Sequence, residues 1–339
     1  MKRVLIVAFL VIEFSQGFGC SRVANDFPYK PIHVLVPYGP GGATDIAARI
    51  IIEHVRGRLK QSIVVENKPG GSGVIALEEV VRSKPDGYTL LFGNITTNLL
   101  NPIIGEPPMM FDPFEQLTPL ARLVSIPGVL IATKVNFPPN TLREFVEYAG
   151  ARPSEINYST SGILAYSHID WLMLQKRTGI WMVDVPLRAG AGGGQIDIVN
   201  GSIQATIQNA ATVMPFVKAG QVKALAVASE ERLPAYPDVP TFAEAGYPGV
   251  GTSGWQALFA PTRTPKEAVH IITNAILDAL QNDRVKTQLI DLQFSVIPTA
   301  TPEEAKTWLD AERMRWTPIV TEAKALYSAQ ERNLLAKGR

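Results

Sequence analysis

The 339-residue sequence has room for two domains of ordinary size, and 46% hydrophobic with 19% charged residues describes a globular chain, not a disordered one. A formal net charge of +1 supplies no broad positive field, so nucleic acid and anionic membrane surfaces are not expected as partners. The single cysteine, Cys20, excludes disulfides within the chain. The four histidines (His33, His54, His168, His270) lack metal-ligand spacing, so neither a metal nor another cofactor is expected.

At the N-terminus, Lys2 and Arg3 precede an apolar run, Val4–Ile12, that is too short to span a bilayer. Small residues follow at Ser15, Gly17 and Gly19. Residues 1–26 therefore read as a signal peptide, cleaved between 17 and 26. Gly19-Cys20 also offers a lipid-anchor site, although Gly17-Phe18 fit a lipoprotein signal poorly. The mature protein is expected to be exported and soluble, or tethered at most by its first residue.

The mature chain opens with a predicted strand, Ile32–Val36, that breaks into Pro37-Tyr38-Gly39-Pro40-Gly41-Gly42-Ala43-Thr44-Asp45 and runs into a helix to Leu59. A strand, a glycine turn and a helix start leave backbone N–H groups unpaired, with the positive end of the helix dipole behind them. Gly41 and Gly42 lack a Cβ and let a ligand approach the main chain. That is an anion cradle, suited to a carboxylate as well as to a phosphate. The fingerprints G-x-G-x-x-G and G-x-x-x-x-G-K-[ST] are both absent, and a turn of this kind can also bind nothing. Asp45 either caps helix N–H groups or faces the ligand.

Ile63–Val65, the turn Pro69–Gly73, a helix through Val81, the turn Pro85-Asp86-Gly87 and the strand Tyr88–Phe92 continue the alternation. This order argues for a parallel sheet covered by helices, with the loop Gly93-Asn94-Ile95-Thr96-Thr97 at the same carboxyl end as the first turn. Residues 101–119 read as a surface excursion. Leu120–Thr133, broken at Pro127-Gly128, suits a chain passing between domains, or a bulged strand. Thr141-Leu142-Arg143-Glu144 is a capping box.

The opening pattern then recurs. Ile156–Tyr158 leads into Ser159-Thr160-Ser161-Gly162 and a helix from Ser167 through Leu174, giving a second set of donors or a simple N-cap. Val183–Leu187 ends in Arg188 and the run Gly190–Gly194, where Arg188 is a candidate partner for a carboxylate. Ile203–Ile207, Ala224–Ala228 and Trp255–Phe259 read as strands, the last returning to the first domain. Thr264-Pro265-Lys266-Glu267 and Thr301-Pro302-Glu303-Glu304 are capping boxes opening the C-terminal helices.

Taken together, several segments resemble one family. They are Pro31-Ile32 with Val36 to Asp45; Val65-Glu66-Asn67-Lys68-Pro69-Gly70; Pro85-Asp86-Gly87-Tyr88-Thr89-Leu90-Leu91; and Asn157-Tyr158-Ser159-Thr160-Ser161-Gly162 with His168. Ala224-Leu225-Ala226-Val227 with Arg232, and Pro237-Asp238-Val239-Pro240-Thr241 with Glu244-Ala245-Gly246, complete the set. This order and spacing resembles the Bug family, the extracytoplasmic receptors of tripartite tricarboxylate transporters. The resemblance implies an α/β, two-lobed periplasmic binding protein of the hinged type II. Each lobe would be a mixed, mostly parallel sheet flanked by helices. Lobe 1 is expected over 27–125 and 252–339, and lobe 2 over 126–251. It implies a monomeric, non-enzymatic receptor that holds a small carboxylate between the lobes for membrane transporter subunits or a membrane sensor. Carried over by position, the ligand residues are Tyr38, Gly41, Gly42, Ala43, Thr44 and Asp45, with Asn94 and Thr96, then Thr160, Ser161, Gly162 and Ala165; Arg188 is added from its own position.

Two departures stand out. Leu164 and Ala165 occupy positions where the family has Gly and then Ser or Thr, and Leu187 stands where it has Tyr. An aromatic or more apolar monocarboxylate would suit these changes. The rival reading is a hydrolase using Ser161 or Ser167 with His168, but no G-x-S-x-G elbow supports it.

Overall fold

Two open sheets, each covered by helices, organise the computed structural model, which describes residues 27–105, 108–160, 162–186 and 195–336. Residues 1–26 lie outside them, so the signal peptide and the Cys20 anchor do too. The first sheet starts with β1 (Ile32–Val36), β2 (Ile63–Asn67), β3 (Thr89–Asn94) and β4 (Leu117–Ile126). The second holds β5 (Gly128–Thr133), β6 (Asn157–Thr160), β7 (Val183–Pro186), β8 (Ala205–Asn209) and β9 (Val222–Ala228). The chain then returns to the first with β10 (Gly254–Pro261) and β11 (Ser295–Val296). The spatial orders are β11-β4-β10-β3-β1-β2 and β7-β6-β8-β5-β9.

β1 is a nearly unbroken apolar run because both of its faces are covered. Ile32, Val34 and Val36 join a cluster with Ala47 and Ile51 of the helix Ala43–Leu59, while Leu35 joins a second with Leu77 and Val80. Burying each large aliphatic side chain stabilises by about 1.5–3 kcal/mol. Parallel pairing is narrower than the βαβ alternation suggested. It joins β1 to β2 and β3, and β6 to β7 and β8, whereas β4, β5, β9, β10 and β11 pair antiparallel. The reason is connectivity: most of these strands flank the passages between the sheets, and no helical crossover sets their direction.

Pro127 alone separates β4 from β5, so the break expected at Pro127-Gly128 is a passage between sheets. Proline cannot donate to a ladder, which ends one strand as the next begins. The chain returns through residues 229–253. There the Asp170 carboxylate, on the helix Tyr166–Thr178, accepts from Thr252 N at 3.0 Å and Thr252 Oγ1 at 2.7 Å. A third connection is the helix Pro302–Ala336, which lies on both β4 and the helix Tyr166–Thr178. Its Glu322 pairs with Lys176, and its Glu312 accepts from Trp255 Nε1 at 3.0 Å.

Local signals held unevenly. The boxes at Thr141 and Thr301 form, with Glu144 N and Glu304 N each 3.1 Å from the threonine hydroxyl. At Thr264 the helix begins one residue late, at Lys266, with Pro265 as its N-cap, and no side-chain cap forms. The expected loop 93–97 is instead the end of β3 running into a π-helical turn, Thr96–Leu100. Two asparagines cause it: Asn94 Oδ1 accepts from Thr97 N at 3.0 Å, and Asn98 Oδ1 from Asn94 N at 3.2 Å. A Cβ on Gly93 would stand 2.0 Å from Asn98 Oδ1. Gly93→Ala is therefore expected to destabilise by roughly 1–3 kcal/mol through overpacking. Urea unfolding checks this, and an unchanged midpoint would refute it.

Candidate functional site

A cavity of about 80 Å³ opens at the carboxyl ends of β1 and β3, between the two sheets. That is room for a few ordered waters or one small metabolite. The turn after β1 supplies Tyr38, Gly39, Pro40, Gly42, Ala43 and Thr44 to its wall, and the end of β3 supplies Asn94, Ile95 and Thr96. The end of β4 adds Ile126 and the start of β10 adds Gly254, Trp255 and Gln256. The second sheet adds Gln208 and Asn209, and the start of the helix Tyr166–Thr178 adds Tyr166.

The first turn has the geometry of an anion cradle. Gly42 is the N-cap of Ala43–Leu59 and no side chain caps it, so the first-turn amides have no partner within the helix. Gly41 takes φ +81°, the left-handed region that glycine adopts freely, and its N–H goes to Asp45 Oδ2 at 2.9 Å. Asp45 does not line the cavity. Its Oδ1 accepts from Arg49 Nε and Asn67 Nδ2, each at 2.9 Å. Burial alone would raise its pKa, but hydrogen bonds from Arg49, Gly41 and Asn67 outweigh that and hold the carboxyl below its usual value. Asp45 accepts the Gly41 N–H, one residue before the N-cap, so it ties the turn together and caps no amide of the helix itself.

The second predicted turn is arranged differently. Thr160 is buried in β6 and donates to Asp184 Oδ1 at 3.1 Å. A Cβ on Gly162 would sit 3.5 Å from Ser72 Oγ, which places this turn against the Gly70–Gly73 turn of the first sheet. Its amides are partly spent inside the protein: Leu164 N donates to His168 Nδ1 at 2.9 Å, and Ala165 N to Gly162 O at 3.2 Å. Leu164 holds φ +55° where glycine would be unstrained, and its side chain is buried in a cluster that the first sheet shares with the helix Tyr166–Thr178. It does not face the cavity, so it gives no argument for an apolar ligand. Gly162 and Ala165 do not line the cavity either; Tyr166, next in the chain, does. Ser161, Leu187, Arg188 and the glycine run 190–194 lie outside the described residues.

His168 is fully buried, and burial pulls its pKa down to about 4. Because Nδ1 accepts a hydrogen bond, the neutral ring carries its proton on Nε2, which lies 3.9 Å from Asp184 Oδ2. Burial pushes Asp184 up to about 6. A histidine closed off in this way fits a structural part better than a general base in the cleft.

None of the described lining residues is charged. The polar groups are neutral donors and acceptors. Tyr38 OH meets Thr97 Oγ1 at 3.0 Å, and Tyr166 OH donates to Asn209 Oδ1. Burial raises both phenols, so they stay protonated. Sequence reasoning missed Tyr166, Gln208, Asn209, Ile126, Trp255 and Gln256. One signal was there: Gln208-Asn209 ends an apolar strand just before the helix Ala210–Lys218, the strand-to-helix pattern already recognised twice.

Residues 47–325 match the family model described as the tripartite tricarboxylate transporter family receptor. The chain belongs to this receptor family. Within it, the protein BugT of Bordetella pertussis is 30% identical over 325 residues, covering 96% of this chain and 98% of its own. MatC from Rhodopseudomonas palustris, solved with bound malate, is 33% identical with a TM-score of 0.80 over 87% of this chain and 100% of its own. Rpa4515 of R. palustris, solved with adipate, is 29% identical with a TM-score of 0.83 over 88% of this chain and 99% of its own. The likeness bears out the two-lobed α/β fold, each sheet with its helices being one lobe. Among the described residues, no helix is long and apolar enough to cross a membrane and no metal-binding cluster is found, and the family is one of binding proteins.

Proposed function

We propose that the protein is an exported receptor that captures one small carboxylate between lobe 1 (27–125 and 252–339) and lobe 2 (126–251). The closed form would then be handed to the membrane subunits of a tripartite transporter. The observation that carries this reading is the cavity itself: an uncapped helix start opens into a crevice at the carboxyl end of an α/β sheet, with the other lobe closing over it. The ligand carboxylate would lie on the amides of Ala43 and Thr44, and Tyr166 and Asn209 would reach it from lobe 2. Arg188 remains a candidate from the same lobe. The two relatives solved with dicarboxylates support this chemistry. Closure by hinge motion is the expected response to the ligand.

Calorimetry and thermal unfolding across malate, adipate, lactate and benzoate test the reading. One of these acids, or a close analogue, is expected to bind 1:1, to raise the melting temperature and to reduce the radius of gyration in solution scattering. Folded protein that responds to no small carboxylate would overturn it.

A further inference from the structure

Three side chains from three elements meet at the cavity floor. Asn94 Oδ1 accepts from Thr97 N at 3.0 Å, which turns Nδ2 toward Thr44 Oγ1 at 3.4 Å. Gln256 Nε2, from β10, reaches the same oxygen at 3.1 Å. A hydroxyl has two acceptor positions and one hydrogen. Both acceptor positions of Thr44 are taken by amide N–H groups, so its hydrogen points away from them, and no acceptor for it stands among the described residues. Gln256 is 2% exposed, and its Oε1 is buried with no donor among the described residues. A buried polar atom left unpaired is destabilising, and an apolar side chain of similar shape would avoid it. Folding alone therefore gives no reason for glutamine here.

The geometry points to Gln256 as the positioning residue that fixes the polarity of the Thr44 hydroxyl, making Thr44 an obligate donor to a carboxylate oxygen in the cleft. Thr44 touches the ligand, and Gln256 acts through it. Were an acceptor at position 256 to face Thr44 instead, the hydroxyl hydrogen would be spent inside the protein. This rests on the carboxylate-receptor reading above.

The test uses the full chain, calorimetry with the tightest binder among malate, adipate, lactate and benzoate, and thermal unfolding in parallel. Gln256→Met is expected to melt at or above the parent temperature and to bind about 10- to 100-fold more weakly, as for a lost hydrogen bond to a charged group. Gln256→Glu, which keeps the shape, is expected to bind weakly near about pH 8. Its affinity should recover toward about pH 5, where the protonated acid again offers a hydrogen to Thr44. A folded Gln256→Met with parental affinity overturns the proposal. So does a Gln256→Glu whose affinity is no more pH-dependent than the parent's, a result that decides the matter even if the Met variant does not fold. A parent protein that binds none of the acids overturns the receptor reading and this one with it; unchanged variants of a binding parent overturn only this one.

Discussion

Thr44→Asp is expected to leave the fold standing and to weaken carboxylate binding by at least about 100-fold. Thr44 is the second residue of the helix Ala43–Leu59, where an acidic side chain is favoured by the helix dipole. The new carboxylate would accept the N–H groups of Asn94 and Gln256 that now reach the hydroxyl, so local hydrogen bonding survives. The ligand loses its donor and meets a like charge. Two carboxylates about 4 Å apart repel by roughly 4 kcal/mol at an effective dielectric of about 20. Even after screening removes part of this, about two orders of magnitude in affinity remain. Calorimetry at neutral pH, with a thermal melt as the folding control, gives the answer. Parental affinity in a folded Thr44→Asp protein would place the carboxylate elsewhere.

The second large effect concerns pH and the passage between lobes. The Asp170 carboxyl is buried where the chain returns to the first sheet, and burial, only partly offset by the hydrogen bonds from Thr252 and Gly251, pushes its pKa from 3.8 up to about 6. Between these values the folded protein binds more protons at this site than the unfolded chain does. Stability from this group is therefore fully present below the unfolded value and is lost as pH rises through the folded one. The shift corresponds to about 3 kcal/mol. Asp170→Asn removes the titration. The variant's stability relative to the parent is expected to rise by about that amount between about pH 4 and about pH 7. Asp184 and His168 titrate in the same window in both proteins and cancel in the difference. Urea unfolding of the pair across this range is the measurement, and a constant difference would refute the account.

What the sequence made legible follows from how local each feature is. The strand-turn-helix at residues 32–59 is set by contiguous residues: an apolar run, glycines free to turn, then helical periodicity. Its role at the cavity could be anticipated for the same reason. Pro127-Gly128 marked the passage because Pro127 has no N–H to give a ladder, a property read from the residue itself. Gln256 was not legible, because nothing around it in the chain says that β10 lies beside β3 and brings it to Thr44, 212 residues away. The spent amides of Leu164 and Ala165 were hidden likewise: a Ser- and Gly-rich turn looks the same whether its N–H groups face solvent or a buried His168. The Thr264 box failed for a subtler reason. Pro265, expected at the first helical position, became the cap itself.

The position of β10 between β4 and β3 has a consequence for how the protein comes into being. Synthesis delivers β1 to β4 long before residue 254; until then β3 presents one unpaired edge and β4, whose partners β10 and β11 both come later, presents two. The second sheet, contiguous from 128 to 228, can assemble in the meantime. A nascent chain halted after β9 therefore holds one finished half and one open to pairing with other chains. A holding chaperone would gain most by binding in that interval, before the last quarter of the polypeptide seals the gap.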